Sequence, residues 1–343
     1  MLPVSIVITT HDQCDLLRRH LPVFLEQDYG GDVEVVVVDM NSTDDTKTYL
    51  EQMVGRTPNL RVIPTPESAR NISPTRLALT LGFRAATHDW VIVTQADCYP
   101  SSSRWLSCMI ESGKDVKTQM VLGFTRFVDG KGWNGLRCRF FHAWQQLLHL
   151  EWARNHRAYR CDGTNLCYRR SYFLEHKGFA DETNLLMGAT DIMVNRNSTQ
   201  RNTSVCLKPD AVMLQTAPTS PCWWSEERMF FMETRHHFAH TFAYRLRYML
   251  AVLQIWLPTL LALLGIAFGI VSDMWPIIVA SALAWPLVVG VSCYRFSRRL
   301  RAIGEAPIRL ALPLLMHLIP LWDFTAWLNW LFTKRQTFLK KYI

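Results

Sequence analysis

The sequence predicts an α/β domain built on a mostly parallel sheet, followed by C-terminal transmembrane helices. Short apolar runs rich in Val and Ile alternate with amphipathic helical segments over the first hundred residues, the pattern of strands joined by crossover helices. Near the end, 25 uncharged residues lie between Arg247 and Asp273, and 21 more between Asp273 and Arg295. Each is long enough to cross a hydrocarbon core of about 30 Å.

The elements follow in order. Val4–Thr10 is an apolar run and reads as the first strand. From Asp12 to Gln27, Leu16, Leu17, Leu21, Phe24 and Leu25 recur at helical spacing. Val33–Asp39 carries four consecutive valines and reads as a second strand, after which Asn41-Ser-Thr-Asp-Asp45 offers N-caps to the next helix. A short strand lies near Arg61–Pro64, a helix over Ser73–Ala86, and a strand over Trp90–Thr94 that leads to Asp97. Beyond residue 120 the pattern loosens. Met120–Thr125 and 162–168 read as strands, and Arg137–Arg157 and 191–201 as helices.

The first apolar span is flanked by Arg245 and Arg247, and the second is followed by Arg295, Arg298, Arg299 and Arg301. The positive-inside bias puts both flanks in the cytosol. Residues 310–333 are apolar but include Pro313, His317, Pro320 and Asp323, and they lead to a basic tail with Lys334, Arg335, Lys340 and Lys341. A single further crossing would put that tail outside, so a re-entrant or interfacial segment is expected.

The 343 residues, as a length, correspond to about two domains. At 49% hydrophobic and 19% charged, the composition excludes disordered, collagen-like and coiled-coil chains. The net charge of +8 is not a nucleic-acid signal. Residues 245–343 hold 11 Lys/Arg and 3 Asp/Glu, whereas residues 1–244 hold 26 of each sign. The surplus sits beside the most apolar stretch and suits an anionic membrane surface. Nine scattered Cys without a CxxC pair argue for a reducing compartment and against a zinc ribbon. Met1 is followed within three residues by the first strand, with no basic n-region, so no signal peptide is expected.

Ligands in such sheets bind at the carboxyl ends of the strands, where Asp39 and Asp97 fall. Asp39 can accept from a base or a ribose hydroxyl, or merely cap its turn. Asp97, in Thr94-Gln-Ala-Asp97, can hold Mg²⁺ or Mn²⁺ with a diphosphate, or be structural. Asp191 can be a general base or a helix N-cap. Arg235 and His236, just before the first span, can face headgroups. Cys161-Asp-Gly-Thr-Asn-Leu-Cys167 can be an ordinary turn.

The order of these segments resembles the family 2 glycosyltransferases, membrane-anchored enzymes with a nucleotide-sugar-binding GT-A fold, including those of bacterial polysaccharide and lipid-linked glycan assembly. Val4-Ser-Ile-Val-Ile-Thr-Thr-His-Asp12 is similar to their opening strand, and Val38-Asp39-Met-Asn-Ser-Thr-Asp-Asp-Thr46 to V-D-x-x-S-x-D-x-T. Leu77–Ala86 is similar to the helix beneath the sugar nucleotide, and Thr94-Gln-Ala-Asp-Cys-Tyr-Pro100 to T-D-A-D-C-x-P with Trp105-Leu106 after it. Asp162-Gly-Thr-Asn-Leu-Cys-Tyr-Arg169 is similar to G-x-N-L-x-(Y/F)-R, and Gly188–Arg196 to G-D-D-D-L-F-V-N. Arg235-His236 is similar to the end of Q-x-x-R-(H/W).

The resemblance implies a Rossmann-like nucleotide-sugar-binding half over 1–120 and an acceptor half over 121–215. It further implies an amphipathic interface segment over 216–247 and a membrane region over 248–343, with spans near 248–272 and 275–294. Thr9, Thr10, His11, Asp39, Asn41, Arg76, Gln95 and Asp97 would hold the donor, a UDP or GDP sugar, with Asp97 on Mg²⁺ or Mn²⁺. Gly163, Asn165 and His236 would lie on the acceptor side. Asp191 would be the base of an inverting transfer, and Arg235 a donor toward the diphosphate. The acceptor would be a lipid-linked glycan or polysaccharide at the cytosolic face of the bacterial inner membrane. Three departures weaken the motifs: Gln95 for an Asp, Ala189 and Thr190 for two carboxylates, and Met232 for a Gln. They support a rival expectation, a catalytically silent relative that binds nucleotide sugar or scaffolds a membrane complex.

Overall fold

The computed structural model describes residues 1–66, 72–179, 185–308 and 310–339. Asp181 and Glu182, expected in a loop, and the tail residues Lys340 and Lys341 lie outside the described residues.

The N-terminal domain is an α/β fold with a mostly parallel sheet, as the alternation requires. Among the described residues, strands β1 (Val4–Thr10), β2 (Val33–Asp39), β3 (Leu60–Pro64) and β4 (Trp90–Gln95) form one parallel wing in the order β3-β2-β1-β4. The sheet continues through β8 (Leu166–Arg169), β6 (Met120–Gly123) and β9 (Thr203–Cys206). Only β8 runs antiparallel to its neighbours. A small second sheet pairs β5 (Cys98–Pro100), β10 (Met213–Thr216) and β7 (Thr125–Val128) beside Asp97.

Period-two side-chain alternation divides the valine runs between two cores. Ile6, Ile8, Val35 and Val37 face α1 (Cys14–Leu25) and α4 (Trp105–Ser112) through Leu17, Leu21, Phe24, Trp105 and Met109. Val7, Val36, Val38, Val91 and Val93 face α3 (Pro74–Ala85) and α5 (Gly132–Ala153). Helix α3 comes so close to the sheet that a Cβ on Gly82 would sit 2.3 Å from Val7 Cγ1. The helix α2 (Thr46–Val54) packs beside β3.

Several boundaries differ from the sequence reading. The expected helix Arg137–Arg157 spans Gly132–Ala153, because Gly132 at φ +60 starts it and the Asn155–Arg160 segment turns away to feed the site. The strand expected over 162–168 shrinks to β8, since 160–165 is a loop around Gly163. The helix expected over 191–201 is α7 (Ala189–Asn197). Short α6 (Arg170–Glu175) carries little periodic signal and has no counterpart in that reading, whereas α8 (Trp223–Thr234) falls inside the interface segment expected over 216–247.

Two C-terminal helices are long and apolar enough to span a membrane: α9 (Phe242–Val271) and α10 (Trp275–Ala302). They pack as an antiparallel hairpin whose outward face exposes Leu257, Leu260, Leu264, Leu283 and Leu287. Helix α11 (Leu312–Phe332) lies along α8 of the N-terminal domain. Arg228 donates to Asp323 Oδ1 at 2.6 and 2.9 Å, Trp330 Nε1 donates to Glu233 Oε2 at 2.9 Å, and Asn329 donates to Ser225 at 2.9 Å. The loop between α10 and α11 is tied down by Glu305, which pairs with Arg139 of α5 and, at 3.7 Å, with Arg126 of β7. All nine cysteines are free thiols.

Candidate active site

The chain winds from β1 through β2 to β3 on one side, then returns to place β4 on the other side of β1. Strand order therefore reverses between β1 and β4, and a crevice opens at their carboxyl ends. Thr9 and Gln95 are register partners there. Both line a cavity of about 310 Å³ that also takes in Arg76 from α3, Gly163, Asp191 from α7 and Glu227 from α8. A second cavity of about 310 Å³ shares Gln95, Arg160, Asp162 and Glu227 with it and adds Asp97, His142, His149, Trp223 and Trp224. A third, of about 230 Å³, lies between the domain and the start of α9. Arg160 lines all three.

Asp191 does not cap its helix. The residue at the N-cap is Gly188, at φ +84, and no side-chain cap bond forms. The Asp191 carboxylate, 5% exposed, instead accepts from Arg160 Nε at 3.2 Å and from the Cys161 backbone N–H at 3.1 Å through Oδ1. Arg160 Nη2 lies 3.1 Å from Oδ2, so the guanidinium grips both oxygens. Burial pushes the Asp191 pKa up to about 6, against the opposing pull of Arg160. Burial also raises Glu227. For Asp162 burial is outweighed by His142, 3.2 Å away, and its pKa falls below the ordinary range. Burial disfavours charge on Arg160, yet Asp191, Glu227 and Asp162 hold its pKa above the usual value. The result is a buried carboxylate close to neutrality in its titration, held in place by a permanent cation and facing a cavity. Such a group can accept a proton from a hydroxyl near pH 7.

Gly163 is required by this arrangement. Its φ is +73, and a Cβ there would meet Thr190 Oγ1 at 2.5 Å. The loop can therefore pass close under α7 only without a side chain.

Asp97 sits at the rim of the second cavity. Its Oδ2 accepts from Gln215 Nε2 at 2.9 Å, and its Oδ1 faces the Cys98 thiol at 3.3 Å. No group of three or more His, Cys, Asp or Glu side chains that could hold a metal occurs among the described residues. The donor set still fits a hard divalent cation, because Mg²⁺ is commonly bound through one or two carboxylates completed by water and ligand phosphates. Asp97 supplies that carboxylate and Gln95 a neutral amide oxygen beside it.

The remaining expected residues divide. Thr10 pairs with Asp39 at the same sheet edge and is fully buried. Asp39 Oδ1 accepts from the Ser42 backbone N–H at 3.1 Å, so it does cap its turn. His11 is 54% exposed at its side chain, and Asn41 takes φ +58 in the exposed loop that follows. Neither lines the cavities. Arg76 lines the first cavity and donates to the Phe179 carbonyl at 3.1 Å. Arg235 faces the third cavity rather than the first two. His236 is stacked on Trp330 of α11, ring centroids 5.1 Å apart, and burial followed by Arg235 lowers its pKa.

Asn165 requires a correction. Its carbonyl accepts from Trp105 Nε1 at 3.1 Å, and its amide donates to the backbone carbonyls of Phe124 and Ala211 at 3.0 and 2.9 Å. At 3% exposure it is a buried joint between sheet and α4, with no face toward an acceptor. Conversely, Arg160, Glu227, His142 and His149 line the site and were not singled out. His142 and His149 lie two turns apart on α5, whereas Arg160 and Glu227 come from separate segments with no common spacing. The signal present was Asp162 next to Gly163, which marks the loop but not its partners.

The chain belongs to glycosyl transferase family 2, which matches residues 5–176. Its GT-A fold is shared by a solved structure of low identity. Mannosyltransferase PcManGT from Pyrobaculum calidifontis, in complex with GDP-Man and Mn²⁺, is 18% identical over 97% of this chain and 88% of that one, with a TM-score of 0.61. S. aureus TarS 1–349 is 16% identical over 95% and 89%, with TM-scores of 0.48 and, with UDP-GlcNAc, 0.47. No curated protein matches the chain.

Proposed function

We propose that the protein moves a sugar, with inversion, from a UDP or GDP sugar to a hydroxyl of a lipid-linked or polysaccharide acceptor at the cytosolic face of a bacterial inner membrane. The observation that carries this reading is Asp191, buried, raised to about 6 and gripped by Arg160, in one cavity with Thr9 and Gln95. The family membership and the GDP-Man and Mn²⁺ of PcManGT support a nucleotide-sugar donor and a divalent cation.

In this reading residues 1–120 hold the donor at the edge of β1, β2 and β4, with Asp39 toward the nucleoside, and residues 121–215 form the acceptor half. Asp97 and Gln95 would hold Mg²⁺ or Mn²⁺, which when bound neutralises charge developing on the leaving diphosphate. Asp191 accepts the proton of the acceptor hydroxyl as that oxygen attacks the anomeric carbon. Arg160 keeps the carboxylate aimed and offsets the charge of Glu227 and Asp162. Attack from the face opposite the leaving group follows, as in inverting hydrolysis.

Asp191→Asn tests this. The change keeps shape and removes the base, so transfer falls by at least about 10²-fold while nucleotide affinity is retained. The assay follows nucleotide release with a panel of donors, divalent metal and membrane lipid extract, alongside the thermal midpoint. Wild-type turnover in the variant removes Asp191 as base. An absence of turnover by the wild-type chain with every donor favours the silent-relative reading, to which Gln95, Ala189, Thr190 and Met232 belong.

A further inference from the structure

The second cavity, of about 310 Å³, holds polar groups that no part of the chain satisfies. Most of its polar wall is internally engaged. Gln215 donates to Asp97, Thr164 bonds to Thr125 at 2.8 Å, and Asp162 pairs with His142. Glu227 of α8 is different. It lines both the first and the second cavity, half-buried, and among the described residues its carboxylate makes no hydrogen bond and no ion pair. Arg160 is the strongest cation acting on it, but that guanidinium is bound to Asp191. A half-buried carboxylate without a donor is unfavourable unless a ligand supplies one.

A second, independent observation points to a ligand. His149 of α5 is 3% exposed, lines the same cavity, and neither of its ring nitrogens has a partner of normal geometry. Burial lowers its pKa to about 3, so the ring is neutral, with one N–H donor and one acceptor nitrogen. The indole N–H of Trp224, another lining residue, is buried and unpartnered as well. A carboxylate, a neutral imidazole and an indole N–H together call for a ligand that both donates and accepts, as hydroxyls do. Asp97, Asp162 and Glu227 disfavour a bare anion in this space, and Arg160 disfavours a cation. Trp223 adds an apolar face to the wall, held edge-on by Phe127 with ring centroids 5.0 Å apart. A neutral pyranose combines hydroxyls around its rim with a C–H face that suits the electron-rich face of an indole.

We propose that Glu227 and His149 read the hydroxyls of a neutral pyranose in the second cavity, with Trp223 against its C–H face, which makes Glu227 a specificity-determining residue supplied by α8. This deepens the glycosyl-transfer reading and rests on it for the source of the pyranose, the sugar of the donor or the terminal sugar of an acceptor.

The test uses the full chain in neutral detergent with Mn²⁺. UDP-glucose, UDP-galactose and GDP-mannose are titrated by calorimetry, each beside its bare nucleoside diphosphate. Methyl glucoside, methyl galactoside and methyl mannoside are titrated by saturation-transfer NMR, with and without the diphosphate. A nucleotide sugar that senses Glu227 identifies the donor's sugar as the occupant, and a methyl glycoside that senses it identifies an acceptor's. In either arm Glu227→Gln weakens sugar binding about tenfold and leaves the bare diphosphate unchanged, because a charge-assisted hydrogen bond becomes a neutral one. His149→Phe has the same signature, and Glu226→Gln, on the exposed side of α8, changes nothing. The thermal midpoint of Glu227→Gln stays level or rises, since no protein group loses a hydrogen-bond partner. Sugar affinity untouched by Glu227→Gln in both arms overturns the proposal, as does a wild-type chain that binds no pyranose in either. Equal weakening of the bare diphosphate overturns the assignment to the sugar. Diphosphate bound without any Glu227-dependent pyranose sinks this inference alone. A methyl glycoside bound through Glu227 by a chain that binds no diphosphate sinks the transferase reading alone.

Discussion

Replacing Arg160 by Gln should move the pH dependence of the reaction without rebuilding the site. The Arg160 guanidinium lies 3.1 Å from Asp191 Oδ2 and stabilises the ionised form. Two unit charges about 4 Å apart interact by about 4 kcal/mol at an effective dielectric of about 20. That would correspond to about three pKa units. Arg160 also serves Glu227 and Asp162, so a shift of about one to three units is expected for Asp191. From its value of about 6, the carboxyl would move to between about 7 and 9. The base must be ionised, so activity is present above its pKa and lost as pH falls through it. At pH 7 the ionised fraction drops from about nine-tenths to between about one-half and one-hundredth, and the rate drops in proportion. Raising the pH to about 9 restores much of it. The assay is nucleotide release from the preferred donor between pH 5 and 10, for both proteins, with thermal midpoints to confirm folding. Superimposable pH profiles would refute the electrostatic role assigned to Arg160, and a uniform loss at every pH would show that it acts by shape alone.

Three further expectations concern other parts of the molecule. Asp97→Ala should abolish the Mn²⁺-dependent part of nucleotide affinity, while Gln95→Asp leaves it intact or raises it; calorimetry with and without Mn²⁺ reads both, and unchanged metal dependence in Asp97→Ala refutes the assignment. Asn165→Ala strands an indole N–H and two carbonyls and should destabilise the fold by about 2–4 kcal/mol, seen as a lowered thermal midpoint, with no specific loss of nucleotide binding in the folded fraction. A reporter fused after Ile343 should be cytosolic, together with the domain and the loop that holds Glu305. Detection of the reporter outside would show that α11 crosses.

The first hundred residues were readable because their signals are local. Alternating valines predict which face each strand residue takes, and the observed cores obey that alternation through Val35, Val36, Val37 and Val38. Asp39, Gln95 and Asp97 are strand-end residues, so the position of the strand fixes theirs. Residues beyond 120 were less readable because long-range packing decides their arrangement. Asn165 looked like a ligand-facing residue in its motif, and only the approach of Trp105, Phe124 and Ala211 from three other segments shows it to be structural. Arg160 has no periodic or motif signature, and its meaning comes entirely from Asp191, thirty-one residues later. The apolar spans were legible from length alone. Their helices run on to Ala302 and begin at Phe242 because amphipathic turns extend them beyond the uncharged stretch.

The Glu305 clamp has a mechanical side. Glu305 is 5% exposed and follows the end of α10 by three residues, held by Arg139 and Arg126, while Arg126 Nη1 also donates to the Gly304 carbonyl at 2.6 Å. The other end of the hairpin leads directly into the domain through Phe242. Both legs are thus moored to the domain, and freeing the second means breaking the pairing of the buried Glu305 carboxylate with two partly exposed arginines. Placed in a bilayer, the hairpin would lean together with the cleft that holds Asp191. The thickness and curvature of the membrane would then set the bearing of Asp191 over the surface, as the pitch of a mast follows from the deck in which it is stepped.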